Sequence, residues 1–269
     1  MRELGLVVSG HPYELPDGWS AVEDDILEGA LARAREALSV EVSRNAEDGP
    51  GRLERYFDPT LSYAGASFNG LERATGAVNL VTSSDLLAVT LLSIDIEPLQ
   101  VRQLLEDNPK RAAVISALAA VPRDVPLSEF SSGSRDYGQV LMRLYELYSE
   151  LRATPKPTAK KWVFASKLCA RKFPNLMPVR DNVVCKYLAD KPLTSRGFGH
   201  FKFDLQVFAY LMSDPSVRAD LNDLQSRLRQ KHGPTVMDAV PALRILDVAL
   251  WMAGIDAGLG RRPARSEAV

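Results

Sequence analysis

Apolar positions recur along most of the chain at the three-to-four-residue spacing of amphipathic helices. Asp24 to Val42 carries Leu27, Ala30, Leu31, Ala34 and Leu38 as a narrow apolar stripe, which predicts one long, largely polar helix. Thr82-Ser83-Ser84-Asp85 before Leu86-Leu87-Ala88-Val89 reads as an N-cap with an acidic first turn. Glu97-Pro98 and Asn108-Pro109 open two further helices, because proline at the first helical position gives up no needed N–H. Tyr137, Leu141, Leu144, Tyr148 and Leu151 mark the face of another, and Ala159 to Lys172 resumes as helix after Thr154-Pro155-Lys156-Pro157-Thr158. Asp181 opens a helix through Leu188, Phe203–Met212 another, and Ser213-Asp214-Pro215 caps one bearing Val217, Leu221, Leu224 and Leu228. Pro241 to Ile255 is apolar on nearly every side, the mark of a central packing element.

Two stretches break this pattern. Asp58-Pro59, Gly65, Asn69-Gly70 and Gly76 punctuate short apolar runs, which predicts a small β element near residues 60–81. Val121 to Ser134 is rich in Pro, Ser and Gly and marks a boundary. The expected fold is therefore a mainly α, compact multi-helix protein. Residues 1–130 would form an N-terminal helical region, 131–257 a basic helical region and 258–269 a flexible tail, with a single domain over 20–257 as the alternative division.

Composition narrows the class. The 269 residues are 46% hydrophobic and 25% charged with a net charge of −1, too apolar and too balanced for a disordered chain. Met1 to Val8 lacks signal-peptide architecture, with Ser9-Gly10-His11-Pro12 breaking its apolar stretch, and no run reaches a membrane span. Two cysteines without a C-x-x-C and three histidines leave almost no ligand supply for a zinc or haem site, so no cofactor is expected. The expected location is cytoplasmic, with reduced thiols and no membrane partner.

The charge is unevenly placed. Residues 151–202 hold 12 Lys and Arg against only Asp181 and Asp190, a local net of +10, while the remainder of the chain carries −11. At about 100° per residue, Lys160, Lys167 and Arg171 fall on one face of a helix and Trp162, Ala165 and Cys169 on the opposite one. The stripe, with Lys156, Lys161, Lys172 and Arg180 around it, is a candidate footprint for phosphates, with Trp162, Phe173 and Tyr187 as candidate stacking groups. A solvated helix face pairing with the acidic remainder of the same protein is the plainer reading of the same residues.

Trp162 to Leu188, with Tyr56-Phe57-Asp58-Pro59, Gly65-Ala66-Ser67-Phe68, Thr82 to Val89 and Leu243 to Met252, resembles an uncharacterised family of actinobacterial proteins that brings no established activity. Residues 135–190, a helix, a tight connection, a lysine-bearing helix, then Pro178-Val179-Arg180-Asp181 opening another helix, resemble the helix-hairpin-helix DNA glycosylases. Thr154-Pro155-Lys156-Pro157 stands where that superfamily has its glycine-rich hairpin. The resemblance implies Lys167 as a nucleophile on the sugar, Asp181 as its acidic partner, and DNA contacts from Lys156, Lys160, Lys161, Arg171, Lys172 and Arg180.

Each residue also has a structural role open to it. Asp181 fits an N-cap before Asn182-Val183-Val184, Lys167 a solvated cation, Asp85 a first-turn dipole residue, and Asp247 a buried partner of Arg244. The leading functional expectation is a DNA- or polyanion-binding protein of the helix-hairpin-helix glycosylase-like type, acting on nucleobases if it is an enzyme. The alternative is a non-enzymatic protein-interaction protein whose basic segment pairs with acidic surfaces, its own or a partner's.

Overall fold

Leu27, Ala30, Leu31, Ala34 and Leu38 are all buried on one side of a nineteen-residue helix, α1 (Asp24–Val42), as their spacing requires. The structure, a computed structural model, describes residues 6–8, 11–13, 15–44, 49–61, 63–72, 77–132, 137–153, 161–190 and 197–260. Before α1 lie two short antiparallel strands, β1 (Leu6–Val8) and β2 (His11–Tyr13), with Leu6 opposite Tyr13 and Val8 opposite His11. After it come α2 (Arg52–Phe57), α3 (Ser83–Thr90), α4 (Pro98–Leu105), α5 (Pro109–Ala120), α6 (Tyr137–Arg152), α7 (Lys161–Lys172), α8 (Asn182–Ala189), α9 (Phe201–Ser213), α10 (Pro215–His232), α11 (Pro234–Met237) and α12 (Ala242–Asp256).

The helix starts follow their capping chemistry. The Thr82 hydroxyl accepts from the Asp85 N–H and the Asp85 carboxylate from the Thr82 N–H, a reciprocal box that satisfies two donors at the start of α3. Asn108 accepts from the Arg111 N–H at α5, and Asp214 accepts from the Val217 N–H at α10, each followed by proline. The N-terminus of α2 is capped from a distance: Glu41, buried on α1, accepts from the N–H groups of Arg52 and Leu53. A Cβ at Gly51 would come within 2.7 Å of that carboxylate, so a larger residue there would have to displace the cap.

The chain divides into two compact units, neither of which follows the expected regions. The first comprises Met1–Ala21 and Ser67–Val179; the second comprises Val22–Ala66 and Arg180–Val269. The Pro- and Gly-rich stretch after Val121, expected as a boundary, lies inside the first unit, where the 3-10 turn Leu127–Ser132 buries Leu127 and Phe130. In the first unit α7 packs against α3 and α6, and α6 against α5. In the second, α12 packs against α8, α10, α1 and α2.

The β element expected near residues 60–81 is replaced, among the described residues there, by a 3-10 turn, Ala64–Phe68, and by turns. Its carbonyls find a different set of donors, the cations of α7. The strands instead occupy the N-terminal stretch. Residues 261–269, the bulk of the expected tail, lie outside the described residues.

Candidate functional site

Helix α7 is buried along almost its whole length, cations included. The wheel that set Lys167 and Arg171 on an outward face is corrected by this packing, since Arg171 is only 2% exposed and Lys167 only 5%. Ala165 and Cys169 are buried as expected, whereas Trp162 is half-buried.

The reason lies in the irregular segment before α3. Arg171 Nη1 donates to the carbonyls of Phe68 (2.6 Å) and Asn69 (2.9 Å), and Nη2 to those of Leu71 (2.6 Å) and Glu72 (3.2 Å). Its Nε donates to Asp85 Oδ1 at 3.3 Å. A guanidinium has five N–H donors, and these five acceptors use all of them. Lys172 behaves likewise: its three ammonium protons meet the carbonyls of Ala77 (3.2 Å) and Leu80 (2.7 Å) and Asp85 Oδ2 (2.9 Å). Burial lowers the Lys172 pKa from its ordinary value, and Asp85 opposes that shift. Arg123 completes the clamp, donating to the Val78 carbonyl, to Asn79 Oδ1 (2.8 Å) and to the Lys172 carbonyl (3.1 Å) while its guanidinium stacks 4.4 Å from the Phe173 ring.

Asp85 therefore balances two cations as well as capping α3, a role beyond the helix dipole. Nothing in the local sequence announces its partners, which stand 86 and 87 residues away.

Lys167 lies one turn earlier on α7, and its ammonium donates to the Leu92 carbonyl at 2.8 Å. Lys161 opens the helix and is buried as well. Lys156 and Lys160 lie outside the described residues.

Arg180 and Asp181 belong to the second unit. Arg180, wholly buried, is paired through Nε and Nη2 with Asp204, which also accepts from the Gly199 N–H (2.9 and 3.1 Å) and from the Cys185 thiol (3.6 Å). Burial foremost, with Asp204 adding to it, pushes that thiol well above its ordinary pKa, so Cys185 is held as an inert neutral donor.

Asp181 caps α8, its Oδ1 accepting from the N–H groups of Val183 (2.9 Å) and Val184 (3.1 Å). The structure thus gives Lys167 and Asp181, the two residues implied as a catalytic pair, separate structural partners in separate units.

A polar cluster in the second unit accompanies Asp181. Arg244 pairs with Asp247, as the sequence suggests, and also donates from Nη2 to the Tyr56 hydroxyl (2.6 Å) and the Gly65 carbonyl (3.3 Å). Burial raises the Tyr56 pKa, and the negative charges of Asp247 and Asp181 add to the rise while Arg244 opposes it. The rings of Tyr63 and Trp251 lie 5.4 and 6.1 Å from that of Tyr56. Tyr56 and Phe57 are core residues.

The first unit also carries an open groove of about 640 Å3 between α3 and α4, with Leu86, Leu87, Val101 and Leu105 on its walls and Ile94 and Ile96 from the connection. No sequence signal singled it out, since its apolar positions look like core residues of two short helices. Among the described residues, no group of three or more His, Cys, Asp or Glu is placed to hold a metal ion, and no helix is long and apolar enough to cross a membrane.

A family model described as a family of unknown function (DUF6308) matches residues 51–254. No curated protein and no solved structure matches the chain.

Proposed function

The chain belongs to the family of unknown function DUF6308, and within that family we propose that it works as a protein-interaction protein whose basic segment is an internal scaffold. One observation carries this reading: Arg171 and Lys172 spend every donor they have on acceptors of their own unit. A phosphate arriving from solvent would have to displace buried carbonyls and Asp85, at the cost of leaving those acceptors unpaired. Arg180, wholly buried, is paired with buried Asp204.

The test sets stability against DNA affinity. Full-length protein is titrated against labelled single- and double-stranded DNA at about 50 and 200 mM salt, beside Arg171→Gln and Lys172→Gln. The expected result is a lowered Tm for both variants and no salt-dependent DNA binding by the parent. Binding that falls steeply with salt, with each variant lowering the slope by about 0.9 at unchanged Tm, would overturn the reading.

A second reading is favoured by Asp181. Its Oδ1 takes both capping bonds, and its charge acts on Tyr56 and Arg244, beside which stand two further aromatic rings. A carboxylate in that position could stabilise an oxocarbenium-like centre during loss of a nucleobase, in keeping with the helix-hairpin-helix likeness. With Lys167 buried on the Leu92 carbonyl, water would be the attacking group in this version. Asp181→Asn isolates the charge, because asparagine caps a helix as well as aspartate does. Base release from damaged duplexes that is lost in this variant would support excision, and no release across a broad panel would sink it.

A further inference from the structure

The groove between α3 and α4 leaves apolar side chains in water on its wall, Leu87, and beside it, Leu99; Val78 is exposed elsewhere in the first unit. Leu87 is 56% exposed and Leu99, on the first turn of α4, is 42% exposed. Two other groups fix its shape. Lys167, from the buried α7, holds the Leu92 carbonyl at 2.8 Å, and the next residue, Ser93, takes a left-handed backbone (φ 59°) that L residues rarely adopt. The connection from Ser93 to Ile96 is thus pinned from behind, so the groove is formed before anything enters it.

The charged residue on its wall is acidic, Asp95. Between Thr82 and Asp107 the only cation is Arg102, tied to Glu106 on its own helix. Asp85 is consumed by Arg171 and Lys172. That leaves Asp95, on the groove wall, and Glu97, two residues on, flanking Ile96 without an ion pair among the described residues. Nucleic acid and anionic lipid are repelled by such a rim, whereas cations beside apolar side chains are drawn to it.

We propose that the α3–α4 groove docks a basic amphipathic helix of a partner protein, with apolar side chains at i, i+4 and i+7 seated between Leu86, Leu87 and Val101 and lysine or arginine placed over Asp95 and Glu97. Helices α3 and α4 are eight residues each, about 12 Å, which matches two to three turns of a docked helix. Lys167 is a positioning residue in this arrangement: it touches no partner atom and holds the wall. The proposal rests on the interaction reading and names its partner by chemistry.

The experiment uses the full chain and two labelled synthetic helical peptides of about three turns, one with leucine on one face and lysine on the other, one with glutamate replacing lysine. Anisotropy at about 0.15 M salt is expected to show the Leu/Lys peptide binding at least about tenfold more tightly than the Leu/Glu peptide. Leu87→Asp and Asp95→Lys, both at exposed positions and so without effect on Tm, are each expected to weaken it about tenfold. Leu61→Asp, at an exposed leucine of the second unit, serves as control and should change nothing. Lys167→Met, checked for retained helicity, should weaken binding without altering the preference for lysine over glutamate.

Equal affinity for the two peptides, or indifference to Leu87→Asp and Asp95→Lys, overturns the proposal. So does a dimer in sedimentation that Leu87→Asp dissolves while neither peptide binds, which would give the groove to a second copy. Failure of the interaction reading is read elsewhere, in the DNA titration, so the two failures are distinguishable.

Discussion

Asp85 sits where two buried cations and a helix start converge, and its removal tests the scaffold at its weakest link. Without the carboxylate, Arg171 and Lys172 keep their carbonyl partners but lose the counter-charge that Asp85 gives them both. Breaking a buried pair from one side costs about 3–5 kcal/mol, and Asp85→Ala should lose that much in urea unfolding. A loss near the ~1 kcal/mol of a cap alone would mean that the cations are solvated rather than buried. At Asp214, burial raises the carboxyl pKa, but the Ser216 hydroxyl, the Val217 N–H and Arg35 outweigh it and hold the group below its ordinary value. A depressed folded pKa contributes stability above the unfolded value, about 3.9, that is lost as pH falls through the folded one. Asp214→Asn should therefore lower Tm above about pH 4, where the charge contributes, and flatten the acid limb below it, so that the Tm values of the two proteins converge at low pH. The candidate site was only partly legible at this scale. The Arg244–Asp247 pair could be read from spacing of three on a helix, and the cap at Asp181 from its position before Asn182. The partners of Arg171 and Lys172 could not be, because backbone carbonyls carry no sequence identity.

Helix boundaries were the most legible elements, since caps are local chemistry: Asp24–Val42, Thr82, Pro98, Asn108 and Asp214 all stand where the sequence places them. Helix faces were less so. Periodicity assigns a face by residue type, and on α7 it turned the cations outward when the carbonyls of Phe68, Asn69, Leu71, Glu72, Ala77 and Leu80 hold Arg171 and Lys172 in. The β element expected near residues 60–81 failed for a related reason: glycine and proline announce a turn, but a ladder needs carbonyls free to pair, and cations take those of Phe68, Asn69, Leu71, Glu72, Ala77 and Leu80. Close packing of α12 on α8 could not be foreseen from either helix alone. A Cβ at Gly254 would lie 2.7 Å from Val183 Cγ1 and 3.3 Å from its carbonyl, so the helices approach through a missing side chain. Overpacking of that kind costs about 1–3 kcal/mol, and Gly254→Ala is expected to lower Tm despite the better helix propensity of alanine. An unchanged or raised Tm would mean that α8 can move aside.

At the scale of the whole molecule, chain order and spatial order diverge. The helical part of the first unit runs continuously from Ser67 to Val179, whereas the second is assembled from Val22–Ala66 and Arg180–Val269. The contacts of α1 with α8, α9, α10 and α12 therefore close loops of well over a hundred residues, while α5, α6 and α7 meet as successive neighbours. Loop closure must be met before such contacts return any stability, so distant pairings form late. Pulse-labelled hydrogen exchange during refolding should show amides of α5 to α7 protected before those of α1, α8 and α12. Leu246→Ala, a wholly buried change on α12, should accordingly speed unfolding and leave the early protection of α5 to α7 untouched. If α1 and α12 are protected first, association of the chain's two ends nucleates folding instead, and Leu246→Ala would then slow the earliest phase.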